Sequence, residues 1–226
     1  MQATKTYNYQ TFSASLYKLD AFIGPKVGDK APDFTATTLD GKTVKLSAYF
    51  GKPLILETGS LSCPQYVGCI KSMNTFAVEY PDFEFLVLYV REAHPGDNIA
   101  GHHSIDDKRL LAQRTHEEEY ENRTIIIDDI EGTAHQIYGS LPNMLYIIGV
   151  DGVVLTRSDW NDTATVRKSL EKLNNGEDLA NSQYGFRPTT PPILVRVLSR
   201  AGWDAFFDFV VNLPALMWGH LKAILK

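Results

Sequence analysis

Cys63 is the residue of this chain best placed to do chemistry. It lies in Glu57-Thr-Gly-Ser-Leu-Ser-Cys-Pro-Gln-Tyr66, after an apolar run from Pro53 to Leu56. Behind it, Val67, Ile70, Met73, Phe76 and Ala77 recur at the spacing of one helix face. The run reads as a buried strand and the periodic segment as a helix, so the cysteine falls at a strand-to-helix junction with proline next. Unpaired amides at a helix start favour a thiolate, which is the nucleophilic form of cysteine. The alternative is a packed structural cysteine, since free cysteine is among the most buried residue types. Cys69 follows on a different face of the same helix, so a disulfide with Cys63, or resolution of its sulfenic acid, requires local unwinding. Cys69 therefore reads as a packed helical residue.

The elements that must position Cys63 follow from periodicity and turn residues. Residues 9–23 carry Phe12, Leu16, Leu19 and Phe22 at helical spacing and predict a short amphipathic helix. Thr35–Leu39 and Thr43–Leu46 flank an Asp40-Gly41 turn, and a short helical turn ends at Gly51. Further strands are expected at Phe83–Val90, Thr124–Asp128, Met144–Gly149 and Val153–Thr156, and helices at Ile105–Asn122, Thr133–Tyr138 and Thr163–Leu173. Strands alternating with helices, then a hairpin and a last helix, give an α/β thioredoxin-like fold, a central mixed sheet flanked by helices. The expected organisation is an N-terminal helical segment (1–26), the α/β domain (27–176), a linker (177–192) and an amphipathic helical tail (193–226) with breaks at Gly202 and Pro214.

Several segments resemble the iodothyronine deiodinase family, a thioredoxin-fold group whose nucleophile is usually selenocysteine. Gly59-Ser-Leu-Ser-Cys-Pro64 is similar to its Gly-Ser-Cys-Thr-Sec-Pro motif, with Cys63 in the selenocysteine place. Tyr89-Val-Arg-Glu-Ala-His-Pro-Gly-Asp97 resembles its Tyr-Ile-Glu-Glu-Ala-His-x-Ser-Asp. His102-His-Ser-Ile-Asp-Asp107 resembles His-x-Ser-Leu-Glu-Asp, and Tyr138 to Ile148 resembles Tyr-x-x-Leu-Pro-Glu-Arg-Leu-Tyr-Val-Ile. The resemblance implies Cys63 as nucleophile, with Ser60, Tyr89, Glu92 and His102 as a proton relay. His103 is an alternative to His102, one residue away. It implies that His94 holds the phenolic end of an aromatic substrate, with Ser62, Pro142 and Met144 as further substrate-side positions. Pro142 is expected to be cis and to face Cys63, and Met144 replaces the arginine of the family motif.

The chemistry so implied is reductive dehalogenation of an iodinated or otherwise halogenated aromatic, with electrons from an external thiol such as a thioredoxin or glutathione and no bound cofactor. A peroxiredoxin-like thiol peroxidase is the runner-up, from Val27-Gly-Asp-Lys-Ala-Pro-Asp-Phe34 and the Ser60-x-x-Cys63 spacing. A non-catalytic thioredoxin-fold binding module is the third reading.

Composition limits the rest. A net charge of −5 leaves no basic surplus for a nucleic-acid partner. No metal-ligand spacing occurs among the histidines and cysteines. Two cysteines and the lack of an apolar leader or spanning stretch lead to the expectation of a reducing, cytoplasmic setting. From Arg187 onward five Lys/Arg face two Asp on an aromatic background. This tail is expected to pack on the domain or on a second subunit as a homodimer, with peripheral membrane contact as the less favoured reading.

Overall fold

The computed structural model describes residues 7–21, 23–179 and 185–225. Phe22, the first residues of the expected N-terminal segment (1–6), part of the expected linker (180–184) and Lys226 lie outside the described residues. The strands are β1 (Thr35–Thr38), β2 (Thr43–Lys45), β3 (Leu54–Gly59), β4 (Glu84–Tyr89), β5 (Thr124–Ile127), β6 (Leu145–Ile148) and β7 (Val154–Ser158). The helices are α1 (Pro64–Glu79), α2 (Ile105–Glu119), α3 (Thr133–Ile137), α4 (Thr163–Asn174), α5 (Pro191–Ala201) and α6 (Trp203–Ile224).

All seven strands form one mixed sheet in the order β2-β1-β5-β4-β3-β6-β7. The continuous apolar runs of β3 and β4 lie at its centre, parallel to one another and with β4 parallel to β5. That follows from burial on both faces, which removes the need for polar alternation. Side chains of β3 and β4 still separate by parity. Leu54, Leu56, Leu86 and Leu88 join one core cluster with Phe34, Tyr138 and Met144. Val87 and Tyr89 join another with Cys63, Tyr66 and residues of α1, α2 and α5.

The register Gly59↔Tyr89 aligns the carboxyl ends of the two central strands. The loops leaving them carry Cys63 and Glu92, at the end of a parallel sheet where α/β folds place their ligands. Gly59 is required there: a Cβ at this position would overlap the ring of Tyr66 on the first turn of α1.

Two expectations at the chain's flanks are corrected. The helix predicted over 9–23 is absent from the described part of that stretch, which holds a single 3-10 turn at Ala14–Leu16. Its aromatic residues go to separate partners instead of one stripe. The Tyr7 hydroxyl bonds His135 Nδ1 at 2.9 Å, Tyr9 donates to the Ala93 carbonyl at 2.8 Å, and Phe12 packs on His94 with centroids 4.2 Å apart. The local periodicity thus loses to tertiary contacts along an extended strap.

The break predicted at Pro214 is also absent, since α6 runs through it unbroken. The helix is held along its length: Asp204 accepts from the Asp97 amide, Asn212 accepts from the Ala14 amide, and Gly219 closes on Leu19. These contacts outweigh the single backbone bond a proline removes. Among the described residues no helix is long and apolar enough to cross a membrane.

Candidate active site

Cys63 is the N-cap of α1, followed by Pro64 at the first helical position. Its amide donates to the Ser60 carbonyl and its carbonyl accepts from Val67, so the loop is fixed on both sides of the sulfur. The side chain is 1% exposed. Burial pushes the thiol up to about 12; the amides of Tyr66 and Gln65 pull it down, and the charges of Glu92 and Glu57 push it further up. The helix-start stabilisation expected from sequence is therefore present but outweighed by desolvation. Burial thus favours the neutral thiol at Cys63.

Beside it, Glu92 organises a buried hydrogen-bond network. Its Oε2 accepts from the Ser62 amide at 2.8 Å and the Ser62 hydroxyl at 2.6 Å. Its Oε1 accepts from the Tyr89 hydroxyl at 2.5 Å and lies 3.3 Å from His102 Nε2. Burial alone would raise this carboxyl, but the bond and charge of His102 and the hydroxyls of Ser62 and Tyr89 hold it below the usual carboxylate range. Glu92 is thus an ionised acceptor ringed by donors.

Of the residues assigned to the relay, Tyr89, Glu92 and His102 come together, while Ser60 does not join them. Its hydroxyl accepts from the Ala93 amide at 3.2 Å and braces the loop. Ser62, assigned to the substrate side, is the serine in the network. Between His102 and His103 the geometry selects His102; the His103 amide caps Asp107.

Cys63 opens on a cavity of about 390 Å³. His94 and Pro142 line it, as assigned, but Pro142 is trans, no cis peptide bond occurring among the described residues. Met144 is not a lining residue. It is fully buried with Leu56, Leu88 and Tyr138, in a different core cluster from Cys63. The reason is register: Met144 leads directly into β6, and its amide is taken by the Thr58 hydroxyl at 2.8 Å.

The other walls were not legible as site residues. Phe209, Leu213, Met217 and His220 come from α6, Trp160 from the loop before α4, and Phe186 from the segment before α5. Phe186 stacks on His220 at 3.7 Å between centroids, and Trp160 packs against both. Burial lowers His94 to about 3 and His220 to about 4, and among the described residues no lining side chain is an acid, lysine or arginine. The cavity is aromatic and uncharged.

Beneath the site lies a charged network that sequence reasoning missed. Arg123 pairs with both Glu57 and Glu121, all three fully buried or nearly so. Asn143 and Asn161 donate to Glu57 Oε1 at 2.7 and 2.6 Å, and the Tyr66 hydroxyl donates to Glu121 at 2.9 Å. Asn143 follows Pro142 and Asn161 follows Trp160, so Glu57 fixes two walls of the cavity through their neighbours. The available signal was an acidic residue directly after the apolar run Leu54-Ile-Leu56. The sulfur of Cys69 points elsewhere, to the Asn161 carbonyl at 3.6 Å.

The fold is thioredoxin-like, with Cys63 at the start of the helix that follows a central strand. Solved structures with the same fold include the thiol peroxidase of Chromobacterium violaceum (TM-score 0.51, 17% identity, 68% of this chain and 91% of that one). A Chlorobium tepidum protein described as a thiol:disulfide interchange protein DsbE is another (TM-score 0.52, 22% identity, 68% and 97%).

The chain belongs to the iodothyronine deiodinase family, whose pattern matches residues 2–174. Thyroxine 5-deiodinase of Gallus gallus is 31% identical over 150 residues, covering 61% of this chain and 58% of that protein. The Sparus aurata thyroxine 5-deiodinase is 28% identical over 199 residues, covering 80% and 73%. The chain thus spans little more than half of the first of these relatives and about three quarters of the second.

Proposed function

We propose that this protein removes halogen from a halogenated aromatic by thiol-dependent reduction at Cys63. The observation that carries the reading is the aromatic, uncharged cavity of about 390 Å³ with the thiol in its wall. Such a cavity suits an apolar ring and leaves its polar selection to few groups. His94, neutral at physiological pH, offers a hydrogen bond to a phenolic edge.

In the step proposed, sulfur attacks the halogen and the carbon–halogen bond breaks with its electron pair left on carbon. The thiol proton ends on that carbon, its delivery assigned to the Glu92–His102 pair, so one proton moves and the pair ends as it began. Sulfur is oxidised to a sulfenyl halide. One external thiol displaces halide to give a mixed disulfide, and a second frees Cys63 and leaves as the reductant's disulfide. The net change is aryl halide plus two thiols to arene, hydrogen halide and disulfide.

The binding-module reading keeps one observation in its favour, the thiol pushed up to about 12. A peroxidase reading gains less, because among the described residues no lysine or arginine lines the cavity to activate a thiolate. The test is turnover of wild type and Cys63→Ser on an iodinated-phenol panel and on hydrogen peroxide, with dithiothreitol. Halide release that is lost in the variant is the expected result. Peroxide consumption alone moves the protein to the peroxidase class, and no turnover with either substrate leaves the binding module.

A further inference from the structure

Tyr17 is a wall of two cavities: the one over Cys63 and a second, of about 280 Å³, bordered by Tyr7, Lys18, Arg91, Ser140 and Leu141. Arg91 dominates the second. It is 7% exposed, yet among the described residues no carboxylate lies within ion-pair distance of it. The other deeply buried arginine, Arg123, has two.

The guanidinium of Arg91 bonds the Tyr17 hydroxyl, Nη1 donates to the Tyr7 carbonyl at 3.1 Å, Nη2 reaches the Ser140 carbonyl at 3.5 Å, and Nε has no partner. The rings of Tyr7, Tyr9 and Tyr17 stand 5.0, 5.1 and 5.2 Å from the guanidinium carbon. Such contacts moderate the cost of burying a cation but supply no counter-charge. Lys18, exposed at the rim, adds a second positive charge, while Leu16, Ala21 and Leu141 give the cavity apolar walls.

We propose that this second cavity binds a small organic carboxylate, its acid on the guanidinium of Arg91 and its apolar body against Leu16, Ala21 and Leu141. The planar fork of arginine matches a carboxylate with two parallel bonds. An inorganic oxyanion would supply charge but leave the apolar walls uncovered. The site does not depend on the reaction at Cys63.

The experiment is a melting and calorimetric titration with sodium benzoate, against sodium chloride and sodium phosphate at matched ionic strength and against neutral benzamide. Benzoate is expected to raise the melting temperature by about 4 °C at about ten times its Kd, with no comparable effect of the other three. Arg91→Met should abolish the shift. Because a buried substitution can unsettle the fold, Ala21→Trp supplies the second arm. It fills the mouth from an exposed position, and should lose the shift while melting like wild type in chloride. Equal responses to benzoate and chloride, phosphate matching benzoate, or a benzoate shift that survives in Ala21→Trp would each overturn the proposal.

Discussion

Ser62 joins the two loops that meet at the nucleophile: its hydroxyl donates to Glu92 and accepts from the His94 amide at 3.1 Å. Ser62→Ala removes both bonds while leaving the backbone amide on Glu92. A stability loss of about 1–2 kcal/mol is expected, with a fall in kcat of about tenfold or more if the hydroxyl carries the proton. Urea unfolding beside steady-state turnover checks this, and a kcat that follows only the folded fraction would remove Ser62 from the relay. His94 gives a second prediction. Burial holds it to about 3 in the fold, against about 6.5 in the unfolded chain. Between these values the unfolded state binds the extra proton, so stability falls as pH drops through that window, by up to about 1.4 kcal/mol per pH unit. His94→Phe should flatten urea stability between pH 6 and 4 relative to wild type, on the order of the slope just given. Glu92 acts lower: its depressed carboxyl stabilises the fold above the ordinary carboxylate range and loses that contribution as pH falls through its folded value. At this scale types and spacing picked out Tyr89, Glu92 and His102, which the fold brings together. They could not reveal the state of Cys63, because the burial that sets it comes from segments far along the chain.

Among the elements, the central strands were legible because runs such as Leu54-Ile-Leu and Phe85-Leu-Val-Leu have no other home than a sheet interior. The Glu57–Arg123–Glu121 network was not, since Glu57 within β3 meets Glu121 and Arg123, from the loop between α2 and β5, only in the assembled fold. That network ties the sheet to the cavity through Asn143 and Asn161. Arg123→Met should cost about 3–5 kcal/mol, as two buried carboxylates lose their cation, measured by chemical denaturation at pH 7. A loss below about 1 kcal/mol would mean that the carboxylates find protons or water instead. The N-terminal strap was misread because the spacing of its apolar residues is also that of a helix. Gly132 shows how closely the strap is seated: it has φ +75°, and a Cβ there would overlap the ring of Tyr7.

At the scale of the whole molecule, the strap and α6 together roof the cavity over Cys63. Asn212 stitches them, accepting from the Ala14 amide at 2.9 Å. Removal of residues 203–226 takes away Phe209, Leu213, Met217 and His220 but leaves α5, whose Val197, Leu198 and Ala201 are fully buried. The truncated protein is expected to expose Cys63, to bring its thiol down from about 12, and to speed alkylation by iodoacetamide about tenfold for each pH unit of that fall. An unchanged rate in a folded truncation would mean that the sheet and α1 alone bury the thiol.

That division of labour has a consequence for how such a protein changes over generations. The sulfur, the hydrogen-bond network of Glu92 and the ionic brace under them belong to the sheet and the loops at its end. Most of the ring-bearing walls belong to two peripheral segments that the sheet does not need in order to pair its strands. Mutations that remodel the compartment can therefore accumulate outside the part that holds Cys63. Related chains could keep one reactive centre and exchange the molecules admitted to it.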